Sequence, residues 1–533
     1  MKHMRKLASL LLALVMVFAL ATTAFADGTD SENPSETPSG TPTDTPSTTA
    51  TYTLTITDTK AGHTYAVYQI FTGDISGTSP NYVLSNVKYG KNYGTEGASV
   101  SDATLKAITD ADAFAKGYTP SGNAFKTVSS ANGSTEISGL PSGYYFVMDS
   151  TPVTGQDAAT KYILQVVGNT SVAVKSSVPT VEKKVKENVK TVEGNTDTRI
   201  PSYTLDTGYN DVADYNMGDD VPFLLIGTLP DNYADYTIYQ YIFHDTLSAG
   251  LTYNNDAKVY VVNGSSKTEV TESFDTTGSL EVKCTNLKAI SGVSITKDSY
   301  IVVEYTAKLN SNAVVGLNGN PNKVYLEFSN NHNQEHIGET GTTPEDEVIV
   351  FTYKLDVTKV DGTDNTKTLE GAEFKLKNSA GKWATVTDGK VTGWAEAEAD
   401  GTTLISDANG LFSVTGLDAG IYFLKETKAP TGYNLLANET KLEVIATTAN
   451  NQTWAGQANT ALTALEVKVN DSTTATPGNL TDGSVSMNVE NNAGIILPST
   501  GGIGTTIFYV VGSALVIGAA VLLVTKKRMS AEG

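Results

Sequence analysis

One cysteine, Cys284, stands in 533 residues. A lone cysteine cannot close an intramolecular disulfide, so any covalent bracing has to use other chemistry. Its setting, "SLEVKC", reads as a strand residue and not as a nucleophile. Positive charge is scarce as well: 37 Lys and Arg face 58 Asp and Glu, for a net charge of −21. With no basic stripe to neutralise phosphates, nucleic acid is excluded as a partner. The charged fraction is only 18%, while 26 Tyr and 47 Gly, with abundant Thr and Val, favour strands and turns over helices. What is present suffices for several cores. At roughly 100–200 residues per domain, three domains are expected.

Two long apolar runs stand near the ends. "MKHMRKLASLLLALVMVFALATTAFADG" has Lys2, Arg5 and Lys6, an apolar run from Leu7 to Leu20, and the small-x-small pattern Ala24–Ala26. This predicts a secretory signal peptide, 1–26, cleaved after Ala26. Residues 27–50 are nearly all Ser, Thr, Pro, Gly, Asp and Glu, a composition that predicts a disordered leader. At the other end, Ile507–Val524 is apolar enough to span a membrane, and Lys526–Arg528 would hold its end in the cytoplasm. Immediately before it stands "LPSTGG", 497–502. The order of pentapeptide, apolar span and basic tail resembles the LPXTG sorting signals of Gram-positive surface proteins. That resemblance implies that a sortase reads Leu497 and Pro498, cleaves between Thr500 and Gly501, and joins the Thr500 carboxyl to an amine. The mature span 27–500 loses Lys2, Arg5, Lys6, Lys526, Lys527, Arg528 and Glu532, leaving 31 basic and 57 acidic residues, net −26.

Between the ends, short strands alternate with Gly, Asn-Gly, Asp-Gly and Pro-Ser-Gly turn signals, as in β-sandwiches. An internal repeat sets the layout: "SGLPSGYYFVMDSTPVTG" (138–155) aligns without gaps to "TGLDAGIYFLKETKAPTG" (415–432). Two modules therefore share a late hairpin, with Asp149 in one where Glu426 stands in the other. A third module with different wording lies between them. Expected boundaries are 51–176, 177–351 and 352–496, followed by the sorting signal at 497–533. One helix is expected after Ser101, where Leu105, Ile108, Ala111 and Ala115 recur at steps of three or four. "VTKVDG", "LEGAEFKL", "GIYFLKETKAPTGY" and "VSMNVENN" make the last module similar to Cna-B-type domains. "VPTVEKKV", "HDTLSAGLTY" and "LEFSNN" make the middle one similar to isopeptide-forming domains of fimbrial proteins. Together with "AGHTYAVYQIFTGDIS" and the sorting signal, the chain resembles SpaA-like shaft pilins. The fold class this implies is all-β: three tandem immunoglobulin-like or Cna-B-type sandwiches, with a C-terminal sorting-signal helix.

In "YKLDVTKVDG" the row Tyr353, Leu355, Val357 ends in Lys359, and alternate strand residues share a face. An inward amine is costly to keep charged. Glu426 follows Tyr422 and Leu424 on one face of its strand, and Asn491 follows Val485, Met487 and Val489. Burial lowers a lysine pKa and raises a carboxyl pKa. The neutral amine can then attack the carboxamide while the protonated acid polarises its carbonyl. The middle module repeats the order: Lys183 between Val181 and Val185, Asp245 after Tyr241 and Phe243, and Asn330 after Val324, Leu326 and Phe328. Phase selects Lys183 over Lys184, Asn330 over Asn331, and Asn491 over Asn492. In the families resembled, such positions form isopeptide bonds between first and last strands. The first module keeps the acid, Asp149, but "TYTLTITDTK" has no lysine before Lys60, so no third bond is expected there.

"HNQEH" (332–336) fits a zinc-peptidase pattern, but its Asn-, Gly- and Thr-rich context lacks helical periodicity, so an exposed loop without metal is expected. "DGTDNT" (361–366) lacks EF-hand spacing and reads as a turn. His63 and His244 suggest no triad. The expectation is therefore a secreted, wall-anchored surface pilin with neither cofactor nor enzymatic turnover. Its implied partners are pilin-specific and housekeeping sortases, other pilin subunits, peptidoglycan and surface ligands of host or other cells. A monomeric wall-anchored adhesin is the alternative, and a secreted hydrolase lacks any coherent site. A polymer also needs an acceptor lysine. "SVAVKSSVPTVEKKV" keeps the V-x-V of the WxxxVxVYPK pilin motif but not its Trp or Tyr-Pro. Lys175 is the expected acceptor, with Lys184 and Lys186 as alternatives.

Overall fold

The computed structural model describes residues 50–529, apart from 77–81, 109–113, 115–116, 152–156, 159–160, 175–176, 189–205, 207, 279, 333–337, 450–453, 455–457 and 495–502. The signal-peptide and leader readings therefore lie outside the described residues, save for Ala50.

Strand alternation builds the N-terminal sheets. In Thr51–Thr59, Leu54 and Ile56 face inward and pack with Tyr65, Val67, Tyr145 and Val147. This strand lies between Gly133–Pro141, antiparallel, and Thr170–Ala173, parallel. The other sheet centres on Thr64–Ser76 paired with Gly143–Asp149. Its opposite side carries Ile70, Phe71 and Phe146, against which Leu105 and Ile108 pack. The helix Asp102–Ala107 starts where its N-cap was expected: Ser101 Oγ accepts the Thr104 N–H at 3.2 Å, satisfying a first-turn donor. Its expected continuation to Ala115 runs largely outside the described residues.

In the middle of the chain, a seven-stranded and a six-stranded sheet enclose one core. Val185, Phe223, Leu225, Ile301 and Val303 come from the first, and Tyr241, Phe243, Val324, Leu326 and Phe328 from the second. In the C-terminal part, an eleven-stranded sheet wraps a core that includes Leu355, Val357, Phe374, Leu424, Val444 and Val485. Tyr353–Asp361 runs antiparallel to Leu411–Leu417 and parallel to Ser484–Asn491, with Asp361 opposite Asn491. The N-terminal sheets have the same arrangement around Thr51–Thr59. The sequence repeat thus has a topological counterpart: Gly420–Lys428 pairs with Glu373–Asn378 as Gly143–Asp149 pairs with Thr64–Ser76.

The middle and C-terminal sheets share apolar packing. Val212, Ile349 and Phe351 belong to the same buried cluster as Tyr353 and Leu417. Across this junction the Met217 N–H donates to the Gly416 carbonyl at 3.0 Å, and the Asp418 N–H donates to Asn216 Oδ1 at 3.1 Å. Gly416 has φ +92, and a Cβ there would sit 2.6 Å from Met217 Sδ and 2.8 Å from its Cβ. Beyond the sheets, Ile503–Met529 is a helix. Its part Ile507–Met529 is long and apolar enough to cross a membrane, with mean hydropathy 2.6 and nothing among the described residues packed over it.

Gly416→Ala combines backbone strain with that overlap and is expected to cost about 1–3 kcal/mol. Urea denaturation of the mature chain, followed by Trp fluorescence, checks it.

Candidate functional site

The row that ends in Lys359 ends in a buried amine. Lys359, Glu426 and Asn491 are exposed by 0%, 4% and 0%. Lys359 Nζ donates to the Val489 carbonyl at 2.8 Å, on the parallel neighbour that ends in Asn491. Burial lowers its pKa from 10.5 to about 8, although the negative charges of Glu426, Glu490 and Asp361 oppose the shift. Asn491 Nδ2 donates to Glu426 Oε2 at 3.0 Å and to the Asn434 carbonyl at 2.8 Å. The second bond fixes the amide's orientation, because a carbonyl can only accept. Glu426 Oε2 also accepts the Leu436 N–H at 2.8 Å. Asn491 Oδ1 and Glu426 Oε1 are buried without a hydrogen-bond partner among the described residues. Here the structure departs from expectation. The acid meets the amide nitrogen, the group that would leave, and does not sit on the carbonyl oxygen.

The middle site contains the expected lysine and acid but a different asparagine. The Lys183 and Asp245 side chains are both fully buried and form an ion pair. Burial pushes the Lys183 amine down and the Asp245 carboxyl up, toward their uncharged forms, and their mutual attraction only partly opposes this. Tyr305 joins them: its hydroxyl donates to Asp245 Oδ2 at 2.8 Å and accepts from Lys183 Nζ at 3.0 Å. Phe223 and Tyr305, stacked at 5.3 Å, wall the amine. The carboxamide at this point is Asn322, whose Nδ2 donates to the Tyr305 hydroxyl at 2.7 Å. Its Oδ1 is buried with no hydrogen-bond partner among the described residues.

Asn330 is elsewhere. Asp245 pairs in register with Val324, so Asn330 lies six positions further along, roughly 20 Å away at the rise of a strand. It is fully buried, and its amide has no hydrogen-bond partner among the described residues. Asn322 and Asn330 point to the same face, so phase alone could not separate them. Only the antiparallel register does so. Nor does the middle site join first and last strands. Asn320–Ser329 is followed by Thr340–Thr342 and Asp346–Phe351, and Lys183 lies in the opposite sheet, so the cluster bridges the sandwich. Tyr305 could have been noticed from the row Ile301, Val303, Tyr305, where a hydroxyl enters an apolar face.

In the N-terminal sheets, Asp149 is 5% exposed and its Oδ2 lies 2.7 Å from His63 Nδ1. Lys60 is exposed and pairs with Asp157. Among the alternative acceptors, Lys184 is corrected: it is fully buried, 2.6 Å from Asp211 Oδ1, because Asp211 and Trp454 cover that side of its strand. Lys186 is half-buried, its Nζ 5.6 Å from the Tyr209 ring centre. Lys175, Leu497, Pro498, Thr500 and Gly501 lie outside the described residues. The exposed-loop reading of His332 is also corrected. It is 8% exposed and edge-on to Tyr236 at 5.6 Å, while His336 lies outside the described residues. Asp361 and Asp364 each accept the N–H and hydroxyl of the threonine two residues on, so 361–366 is a pair of Asx turns. Cys284 is buried, with its thiol pKa pushed up, and is unreactive there.

Fold and sorting signal define a secreted, cell-wall-anchored β-sandwich protein. Two family descriptions match it: a SpaA prealbumin-like fold domain over 353–459 and an LPXTG cell wall anchor motif over 490–530. The chain is 27% identical over 421 residues to the trypsin-resistant surface T6 protein of Streptococcus pyogenes serotype M6, covering 68% of this chain and 71% of the relative. Among solved structures, it matches the T6 backbone pilin of the same serotype with 21% identity and a TM-score of 0.48, covering 83% of this chain and 98% of that one. It also matches the major pilin SpaD of Corynebacterium diphtheriae with 17% identity and a TM-score of 0.44, covering 84% and 98%. The chain is an LPXTG-anchored surface protein of the Gram-positive wall, similar to major pilins.

The Asn491→Ala variant keeps Lys359 as a free buried amine. Its native pKa, about 8, lies below the unfolded 10.5. Unfolding therefore takes up a proton between those values, and the amine's contribution to stability rises with pH across that window and is lost as pH falls through 8. Urea midpoints of Asn491→Ala are expected to rise from pH 8 to pH 10 relative to Lys359→Met with Asn491→Ala, which has no such amine.

Proposed function

We propose that this chain is a structural subunit of a sortase-assembled, wall-linked fimbria, braced by two internal amide bonds, Lys183–Asn322 and Lys359–Asn491. One observation carries the reading: a wall-sorted chain twice buries a lysine with an acid and a carboxamide, each lysine pKa lowered by its surroundings. Unpaired buried charges are destabilising unless they react or neutralise. The neutral Lys Nζ attacks the Asn Cγ, forming a C–N bond. The acid, Asp245 or Glu426, takes a proton from the attacking nitrogen and returns one to the Asn nitrogen. The C–Nδ2 bond then breaks, ammonia leaves, and the carboxyl is restored. The contact between Glu426 and Asn491 Nδ2 suits this return step, and the Tyr305 hydroxyl extends the same relay in the middle cluster. Each bond closes a loop of over a hundred residues and, by analogy with a disulfide, would contribute about 5 kcal/mol.

Assembly would use Thr500 as the acyl donor and Lys175 as the acceptor. An anchored monomeric adhesin would share every internal bond and differ in needing no acceptor lysine. Serving as an adhesion surface is compatible with either.

Tandem mass spectrometry of digests is expected to find the peptide containing Lys183 linked to the one containing Asn322. Asn322→Ala should abolish that linked pair and Asn330→Ala should leave it intact; the reverse pattern would restore Asn330 as the partner. Lys175→Ala should remove the high-mass ladder from wall extracts on denaturing gels while monomer stays anchored. A ladder that persists moves the acceptor elsewhere, and a wild type without one favours the monomeric adhesin.

A further inference from the structure

The loop 429–439, between the strands Gly420–Lys428 and Thr440–Thr448, meets both the amide and the acid of the Lys359 cluster. Its Asn434 carbonyl accepts from Asn491 Nδ2 at 2.8 Å, and its Leu436 N–H donates to Glu426 Oε2 at 2.8 Å. Nδ2 also donates to Glu426 Oε2, at 3.0 Å, so both amide hydrogens are held. Two backbone groups of one loop therefore orient the amide and the acid. Leu436 packs on the core from inside. Outside, the Tyr433 hydroxyl donates to Asp361 Oδ2 at 2.7 Å, and Lys367 Nζ donates to that hydroxyl at 2.7 Å and to Asp361 Oδ2 at 3.2 Å. Asp361 ends the strand that carries Lys359 and stands opposite Asn491. Hydrogen bonds from the Thr363 hydroxyl and N–H, then from Tyr433, hold its carboxyl below the usual carboxylate range, as an acceptor only. The loop also grips the chain just past Asn491. The Asn434 N–H donates to the Asn492 carbonyl at 3.0 Å, and the Gly494 N–H to the Gly432 carbonyl at 2.8 Å.

We propose that, given the Lys359–Asn491 bond of the proposed function, Tyr433 and Asp361 are positioning residues for its formation. Their hydrogen bond ties the loop to the first strand and keeps Asn434 and Leu436 where they orient the reacting groups. Both side chains act through the loop backbone, and neither takes a proton in the reaction. The geometry matters because a carbonyl can only accept. Asn434 therefore admits the nitrogen of Asn491 and rejects its oxygen. An amide turned the other way would carry its leaving nitrogen away from Glu426, the acid that returns the proton. Misplacing reacting groups by about 1 Å can cost about a hundredfold in rate. Tyr433→Phe removes one oxygen atom and with it the tie, while the ring and the backbone bonds to Asn492 and Gly494 remain.

The test refolds the mature chain, recovered unfolded and unreacted from inclusion bodies, and quenches samples in acid over time. Mass spectrometry quantifies the linked peptides that contain Lys359 and Asn491. Trp fluorescence follows folding of the C-terminal unit, which holds all three tryptophans, Trp383, Trp394 and Trp454. Tyr433→Phe is expected to slow the linkage at least tenfold while the fluorescence phase changes less than twofold and linkage of Lys183 keeps its wild-type rate. Asp361→Ala should do the same and serves should the first variant fold poorly. The double variant should link no more than twofold slower than Asp361→Ala alone, because both changes remove one interaction. Wild-type linkage rates in both single variants, slowing that only tracks slowed folding, or multiplied losses in the double variant would overturn the proposal. A wild type that folds and never links Lys359 to Asn491 would overturn the bond itself, and the positioning role with it.

Discussion

The cost of keeping an ammonium away from water is the constraint on which this molecule turns. Lys183 and Lys359 are both fully buried, in cores otherwise made of Phe, Tyr, Val and Leu. The surroundings respond by moving each amine toward its neutral form and placing an acid and a carboxamide within reach. A neutral amine next to an amide is a nucleophile held against an electrophile, so the group that would destabilise the core can instead brace it. The same logic explains why the two clusters tolerate amide oxygens, at Asn322 and Asn491, with no hydrogen-bond partner among the described residues, which an unreactive core would be expected to satisfy.

Position along the chain would give the proposed braces their use. On the proposed assembly, tension enters at Thr500 and leaves at Lys175, so the load runs through the middle and C-terminal sheets and bypasses the N-terminal ones. Those two units hold the buried lysines and share apolar packing at their junction. In the N-terminal sheets the corresponding acid, Asp149, faces His63, and Lys60, just after the first strand, is on the surface. A unit off the load path has less need of a covalent tie.

Much of this was legible in the sequence because strand phase is a period of two. Tyr353 to Lys359, Tyr422 to Glu426 and Val485 to Asn491 could each be assigned a face, and all three residues are buried. The repeat at 138–155 and 415–432 fixed which hairpins correspond, and the Ser101 cap announced the helix. Register was not legible. Asn322 and Asn330 share a face, and only cross-strand pairing with Asp245 separates them. Lys184 looked exposed because it opposes Lys183, but a second layer, Asp211 with Trp454 from the C-terminal unit, covers that side. His332 was misjudged for a similar reason: a polar loop composition does not reveal that Tyr236 waits beneath it.

The central claim is that both buried amines have reacted. The intact mass of the purified mature chain, measured after denaturation, tests it most directly. The account predicts a mass two ammonia molecules below that of the sequence, with one restored in Glu426→Ala and one in Asp245→Ala. A mass equal to the unmodified sequence would contradict it.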